Sequence, residues 1–220
     1  MDKLAELQKL EAELAANTAL PLREANLVFG EGSVECAVMF VGEAPGFHED
    51  QQKRPFVGRA GQLLDTLIRE VGWKRADVYI TNIVKRRPPE NRDPLPDEIE
   101  AYKPYLTKQL EIIDPKVVVA LGRFAMNYFL PDAKISRDHG RLFKIGERLV
   151  FPIYHPAAAL RSTEMLNTLR EDFKKLPQIL KGELAAEAAP TVAAPVMPAA
   201  KKAGAAAAKK PAKLKQSRLF

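Results

Sequence analysis

One cysteine, Cys36, stands among 220 residues. A disulfide within the chain is therefore excluded, and a cysteine-based metal site nearly so. Histidine is scarce as well, at three residues. No apolar run approaches the ~20 residues of a membrane span, and no signal or transit-type segment is evident, so a cytosolic protein is expected. Phosphate-loop chemistry is also missing. "GEAPGFHED" and "GRAGQLLD" lack the lysine that a Walker loop places after its last glycine, and "FGEGSVE" lacks the third glycine of the dinucleotide fingerprint.

The hydrophobic content of 46% is enough for one sizeable core. From Thr191 onward, however, Ala, Pro and Lys dominate, with almost no large apolar residues until Leu219 and Phe220. Such a segment cannot offset the entropy of ordering. One catalytic-size domain over 1–182 is expected, followed by a disordered tail over 183–220. The net charge of +6 belongs to that tail. Residues 201–220 hold seven of the 34 basic residues and no acid, which leaves 27 against 28 acids before them. Any nucleic-acid site on the folded part must then be a local patch, with the tail adding salt-sensitive attraction to phosphate backbones.

Strand and helix signals alternate. Leu4, Leu7, Leu10 and Leu14 predict an amphipathic helix over 2–16, and further helices are expected over 59–71, 96–113, 122–130 and 163–181. "CAVMFVG", "DVYITNIV", "KVVVALG" and "LVFPIYHP" read as buried strands. The pattern predicts an α/β protein, a three-layer α/β/α sandwich around a four-stranded parallel sheet. In such folds the loops after the strands converge on one crevice. Here they are GEAPG, TNIVKRRPP, ALGRFA and HPAAALR.

Glu43 follows the first strand in a glycine-bracketed loop, Asn82 ends the second, and His155 follows the fourth. Taken singly, each has an ordinary structural explanation as a loop acid, a turn cap and a hydrogen-bonded histidine. Together on one rim they form a candidate site: an acid, an amide able to read a donor–acceptor edge, and an imidazole. Lys85, Arg86, Arg87 and Arg92 crowd the loop beside them, stiffened by Pro88 and Pro89, as suits phosphodiester contacts.

"GEAPG", "RPFVGRAGQLLD", "TNIVKRRPPENRDP", "VVALGR" and "YHPAAALR", in this order over about residues 4–180, resemble the uracil-DNA glycosylase superfamily, most nearly its family 4, the iron–sulfur type. The resemblance implies catalytic roles for Glu43, which would orient or activate the attacking water, and His155, which would stabilise the leaving base. It implies a uracil pocket of Gly42, Ala44, Phe56 as stacking face and Asn82 as edge reader. DNA contacts would come from Lys85, Arg86, Arg87 and Arg92, and from a wedge loop with Ala159, Leu160 and Arg161. Family 4 holds a four-iron cluster through four cysteines. The matching positions here are Asn17, Leu20, Arg86 and Tyr102, none of them a thiol, so no cluster, metal or other cofactor is expected. Tyr102 is expected to pack into the vacated space and Arg86 to turn to solvent or phosphate. A long histidine-bearing insert that marks a covalently trapping relative is also missing, which implies ordinary turnover.

The implied reaction flips uracil out of DNA and hydrolyses its N-glycosidic bond. Two other readings stand beside it: a same-fold glycosylase for hypoxanthine or xanthine, and a non-catalytic DNA-binding module. Uracil-containing DNA is the expected partner and a monomer the expected state. "QSRLF" resembles the short peptides that dock on the bacterial sliding clamp, with Gln216, Leu219 and Phe220 as anchors.

Overall fold

The computed structural model describes residues 2–189. Four parallel strands form the centre of the sheet: β2 (Val38–Gly42), β3 (Tyr79–Asn82), β4 (Val117–Leu121) and β6 (Arg148–Ile153). They lie in the order β3-β2-β4-β6. Three short strands extend this sheet beyond the expected four: β1 (Glu31–Gly32) antiparallel to β3, β5 (Phe143–Ile145) antiparallel to β6, and β7 (Glu187–Ala188) parallel to β5. The sheet is therefore seven-stranded and mixed. Its last strand lies past residue 182, so the opening of the expected tail is built into the fold. The remainder of that tail, with Gln216, Leu219 and Phe220, lies outside the described residues.

The central strands are apolar on both faces because helices cover both. Met39, Val41, Val118 and Ala120 face α1 (Lys3–Ala16), α4 (Pro96–Ile113) and α5 (Gly122–Phe129). Phe40, Ile80, Val117 and Val119 face α3 (Arg59–Glu70) and α8 (Thr163–Leu180). Local chemistry sets the helix ends. The Asp2 carboxylate accepts from the Leu4 amide at 3.0 Å to start α1, and the Ser162 hydroxyl accepts from the Met165 amide at 3.2 Å to start α8. Pro96 opens α4, where its missing N–H costs nothing.

From β2 the chain passes to β3 on one side and later returns to β4 on the other. The end of β2 is thus the switch point of the sheet, where the flanking loops part and leave a crevice. Glu43 is the first residue beyond it. Two short helices complete this edge, α2 (Phe47–Gln52) after β2 and α7 (Pro156–Ala159) after β6, while α6 (Ile135–Asp138) precedes β5.

Candidate active site

A cavity of about 410 Å³ opens at the switch point, lined by Glu43, Ala44, Phe56, Asn82, Arg92 and His155 among others. A neighbouring hollow of about 460 Å³ shares Glu43 and His155 and runs on past Arg123 and Phe124. The two spaces meet at Glu43 and His155, with Asp93, Ala157 and Arg161 also on the shared wall.

Asn82 forms the floor. It is 2% exposed, and its Oδ1 has no hydrogen-bond partner. A buried acceptor left unpaired is costly, and its partner is then sought in a ligand. Gly42 makes room for it across the strand pair. A Cβ at Gly42 would sit 2.6 Å from the Phe56 ring and collide with the Asn82 amide oxygen. The closeness of Phe56 to Asn82 thus requires glycine at 42.

Phe56 adopts φ +51°, a left-handed conformation that bulky side chains avoid. Arg75 holds it there. Its guanidinium donates to the carbonyls of Pro55 and Phe56 and forms ion pairs with Glu31 (2.7 Å) and Asp65 (2.6 Å). Gly61 passes directly under the Phe56 carbonyl, where a Cβ would not fit. The Phe56 ring lies 5.6 Å from the His155 ring, tilted by 32°.

His155 caps α7, and its Nδ1 accepts from the Ala157 amide at 3.1 Å. The ring proton therefore sits on Nε2. Burial pushes the pKa down to about 4, with Glu49 acting weakly in the opposite direction, so the imidazole is neutral at physiological pH. A Cβ on Gly122, whose φ is +84°, would sit 2.9 Å from the His155 Cβ, so glycine there lets the β4 end and His155 meet.

Glu43 is half-buried and has its pKa raised to about 7, by burial first and by the Asp93 charge second, with Arg123 opposing. Asp93 and Arg123 pair with each other at 3.3 Å.

Three lining residues escaped the sequence reading. Glu49 accepts from the amides of Val57 (2.9 Å) and Gly58 (2.7 Å), which caps α3 and closes the loop that carries Phe56. Asp93 and Arg123 set the field at Glu43. Arg123 lies in the rim loop ALGRFA and Asp93 four residues beyond TNIVKRRPP, and the missing signal was their mutual charge pairing.

The basic loop divides in two. Arg87 lies over the exposed Phe47 ring at 5.2 Å and donates to Asn91 Oδ1 at 2.7 Å. Arg92 pairs in a bidentate manner with Glu98 at 2.9 and 2.6 Å and still lines the cavity. Lys85 and Arg86 require correction as DNA contacts, because both are buried. The chain after β3 stays bonded on either side. The Ile83 and Val84 amides donate to the Gly42 and Glu43 carbonyls, and the Lys85 carbonyl accepts from Val28. That leaves no face open to solvent. Arg86 reaches the Ala25 carbonyl instead. On the opposite rim Ala159 is 2% exposed and belongs to the core, so it too cannot touch DNA, whereas Leu160 is 41% exposed and Arg161 is exposed.

At the four positions where the resemblance puts cluster ligands, the side chains do not fit an iron–sulfur group. Tyr102 is fully buried and donates to the Pro21 carbonyl at 2.7 Å, and Leu20 packs in the same core. Asn17 donates to Tyr105 Oη at 2.8 Å, and Arg86 brings a cation where thiolates would be. Arg86 thus does not turn to solvent as expected. Among the described residues no group of three or more His, Cys, Asp or Glu is arranged to hold a metal ion.

Fold and site define an α/β protein with a polar, aromatic-walled pocket at the switch point of a parallel sheet. The chain belongs to the uracil DNA glycosylase superfamily, whose family model matches residues 29–181. It is 44% identical over 185 residues to a Type-4 uracil-DNA glycosylase of Sulfurisphaera tokodaii, covering 79% of this chain and 84% of the relative. A Type-4 uracil-DNA glycosylase of Thermotoga maritima is 42% identical over 187 residues, 83% of this chain and 97% of the relative. A Type-5 uracil-DNA glycosylase of Pyrobaculum aerophilum is 31% identical over 168 residues, 68% of this chain and 72% of the relative.

Proposed function

We propose that this chain excises uracil from DNA by hydrolysis, leaving free uracil and an abasic site, as the first step of base excision repair. The observation that carries this reading is the orphaned Oδ1 of buried Asn82 in the cavity that Phe56 walls. Uracil offers N3–H as donor and O4 as acceptor. The Asn82 amide matches both, its Oδ1 accepting from N3–H and its Nδ2 donating to O4. Cytosine reverses the pattern and would leave buried groups unpaired, a strong ground for rejection.

A base within a duplex is out of reach, so the nucleotide must be extruded at a cost of a few kcal/mol. Leu160, exposed on the rim, fills the gap left in the stack, and Arg87, Arg92 and Arg161 meet phosphates. Phe56 then takes the face of the flipped base. As the C1′–N1 bond lengthens, the sugar gains oxocarbenium character and the base gains negative charge. His155, neutral and protonated on Nε2, donates to the uracil carbonyl where that charge develops. Glu43, ionised, orients the water, takes its proton as the oxygen bonds to C1′, and lowers the energy of the cationic sugar. The proton finally neutralises the uracil anion, and no electron leaves the system.

The fold is held without an iron–sulfur cluster: Leu20 packs in the core, and Tyr102, Asn17 and Arg86 hydrogen-bond to Pro21, Tyr105 and Ala25, with only the Arg86 Nε left unpaired. Purified protein should be colourless. The chain acts as a monomer on DNA. Gln216, Leu219 and Phe220 dock on a sliding clamp, with the preceding residues as a tether. Deleting 216–220 should abolish clamp binding and leave excision on short duplexes intact.

The direct test is a panel of oligonucleotides carrying uracil, hypoxanthine, xanthine or thymine, followed by alkaline cleavage of abasic sites. Strand breaks at uracil are expected. Breaks only at hypoxanthine or xanthine would favour the same-fold alternative.

A further inference from the structure

Lys85 is fully buried, yet it is a lysine in a loop of otherwise basic residues. Its Nζ lies 2.6 Å from Thr81 Oγ1, 2.6 Å from the Asn82 carbonyl oxygen and 2.5 Å from Gln109 Oε1. All three act as acceptors. The Thr81 hydroxyl spends its proton on the Phe29 carbonyl at 2.7 Å, and the Gln109 amide donates to the same carbonyl at 3.0 Å. Three acceptors around one nitrogen match the three protons of an ammonium, whereas a neutral amine would turn a lone pair toward an acceptor. Burial pulls the Lys85 pKa well below the ordinary lysine range, whereas three acceptors within 2.6 Å of Nζ favour the charged form. The Phe29 ring, 6.0 Å from Nζ, closes the remaining side.

The location gives this network its meaning. Thr81 and Asn82 are successive strand residues, so their side chains point to opposite faces of the sheet. Thr81 points to the face where Lys85 and Gln109 lie, and Asn82 to the cavity. The ammonium grips the last peptide of β3 from beneath, where the Asn82 carbonyl has reached the end of the strand. Resting on the uracil-recognition reading, we propose that Lys85 is a positioning residue for Asn82, setting the angle at which its amide meets the base edge. A recognition amide must be held within a fraction of an ångström by its supporting shell, and this shell is rigid because every member is paired.

The test is a double-mutant cycle on the full chain, read by single-turnover excision from a uracil-containing oligonucleotide and by oligonucleotide affinity. Lys85→Met should lower the excision rate at least about 30-fold while affinity changes less than about threefold. In the Asn82→Ala background the same substitution should cost less than about threefold, because there is no amide left to position. A merely structural lysine would give the same loss in both backgrounds, and that outcome, or a wild-type rate in Lys85→Met, overturns the proposal. Should Lys85→Met fail to fold, Thr81→Val and Gln109→Met each withdraw one acceptor and keep the lysine. Each should lose about three- to tenfold in the Asn82 background and nothing further in the Asn82→Ala background, while no loss in either background, or an equal loss in both, again overturns it. Loss of uracil excision in Asn82→Ala separately checks the reading on which the proposal rests.

Discussion

The Nδ1 of His155 accepts the Ala157 amide at 3.1 Å, so the ring presents Nε2–H to the cavity. The same bond fixes tautomer and orientation, and burial keeps the ring neutral down to about pH 4. A neutral donor serves a developing anion without first becoming charged itself. His155→Ala is expected to lower the excision rate about 10²–10³-fold, the usual loss for one such donor, with the melting temperature little changed.

The pH profile follows from the other member of the pair. Glu43 must be ionised to orient water, and its pKa is about 7. Between pH 5.5 and 8.5, kcat/KM should rise with unit slope and level off above about pH 7.5, because His155 is already neutral throughout. Glu43→Gln should be flat over the same range and slower by about 10²–10⁴-fold. A falling wild-type profile would reverse the assignment of the two roles.

Stability should move the other way. The folded pKa of Glu43 lies above its unfolded value near 4.5. Its stabilising contribution is therefore full below about pH 4.5 and is lost as pH rises through 7, above which a carboxylate is held partly out of water. Glu43→Gln removes that charge. It should unfold at a higher temperature than the wild type at pH 8, by an amount of order 1 kcal/mol after allowing for exposure, and at the same temperature at pH 4. Thermal melts at the two pH values check the sign.

Arg75 supplies a prediction remote from the chemistry. It does not line the cavity, yet it binds both carbonyls of the Pro55–Phe56 turn and two carboxylates. Arg75→Met should release Phe56 from its left-handed conformation, lower excision at least about tenfold and destabilise the fold by about 1–2 kcal/mol, since the Pro55 and Phe56 carbonyls and Asp65 lose their donor while Glu31 keeps its pair with Arg54. Denaturant melts and single-turnover rates measure the two effects.

Much of this was legible in the sequence, and the reasons are specific. Strands β2 and β4 are continuously apolar, and helices α1, α3, α4 and α8 repeat leucine and isoleucine at helical spacing, so both announce themselves locally. Strands β1, β5 and β7 are two or three residues long, too short for any period to show. Glu43, Asn82 and His155 were identifiable because each follows an apolar run, and the switch-point geometry brings such positions together. The inward turn of Lys85 and Arg86 was not legible. Their neighbours are charged, and only the bonding of 83–85 to the ends of β2 and to Val28 takes that stretch off the surface. Phe56 falls between these cases. Its stacking role came through the motif, whereas its backbone conformation depends on a guanidinium that reaches it from Arg75.

Leu160 separates extrusion from chemistry. Leu160→Ala should reduce excision about tenfold on duplex DNA and less than about twofold on single strands, where no stack needs filling. Equal losses on both would assign Leu160 to folding or to the pocket.

The most direct measurement compares wild type with Glu43→Gln and Asn82→Ala on one duplex bearing a single uracil, with the released base quantified and the protein and DNA resolved on a denaturing gel. Free uracil, an alkali-labile site and no protein–DNA adduct are expected for the wild type, with both variants folded and slowed at least about 100-fold. Full activity in Glu43→Gln, or a covalent adduct in place of free product, would contradict a hydrolysis in which Glu43 directs water at a uracil held by Asn82.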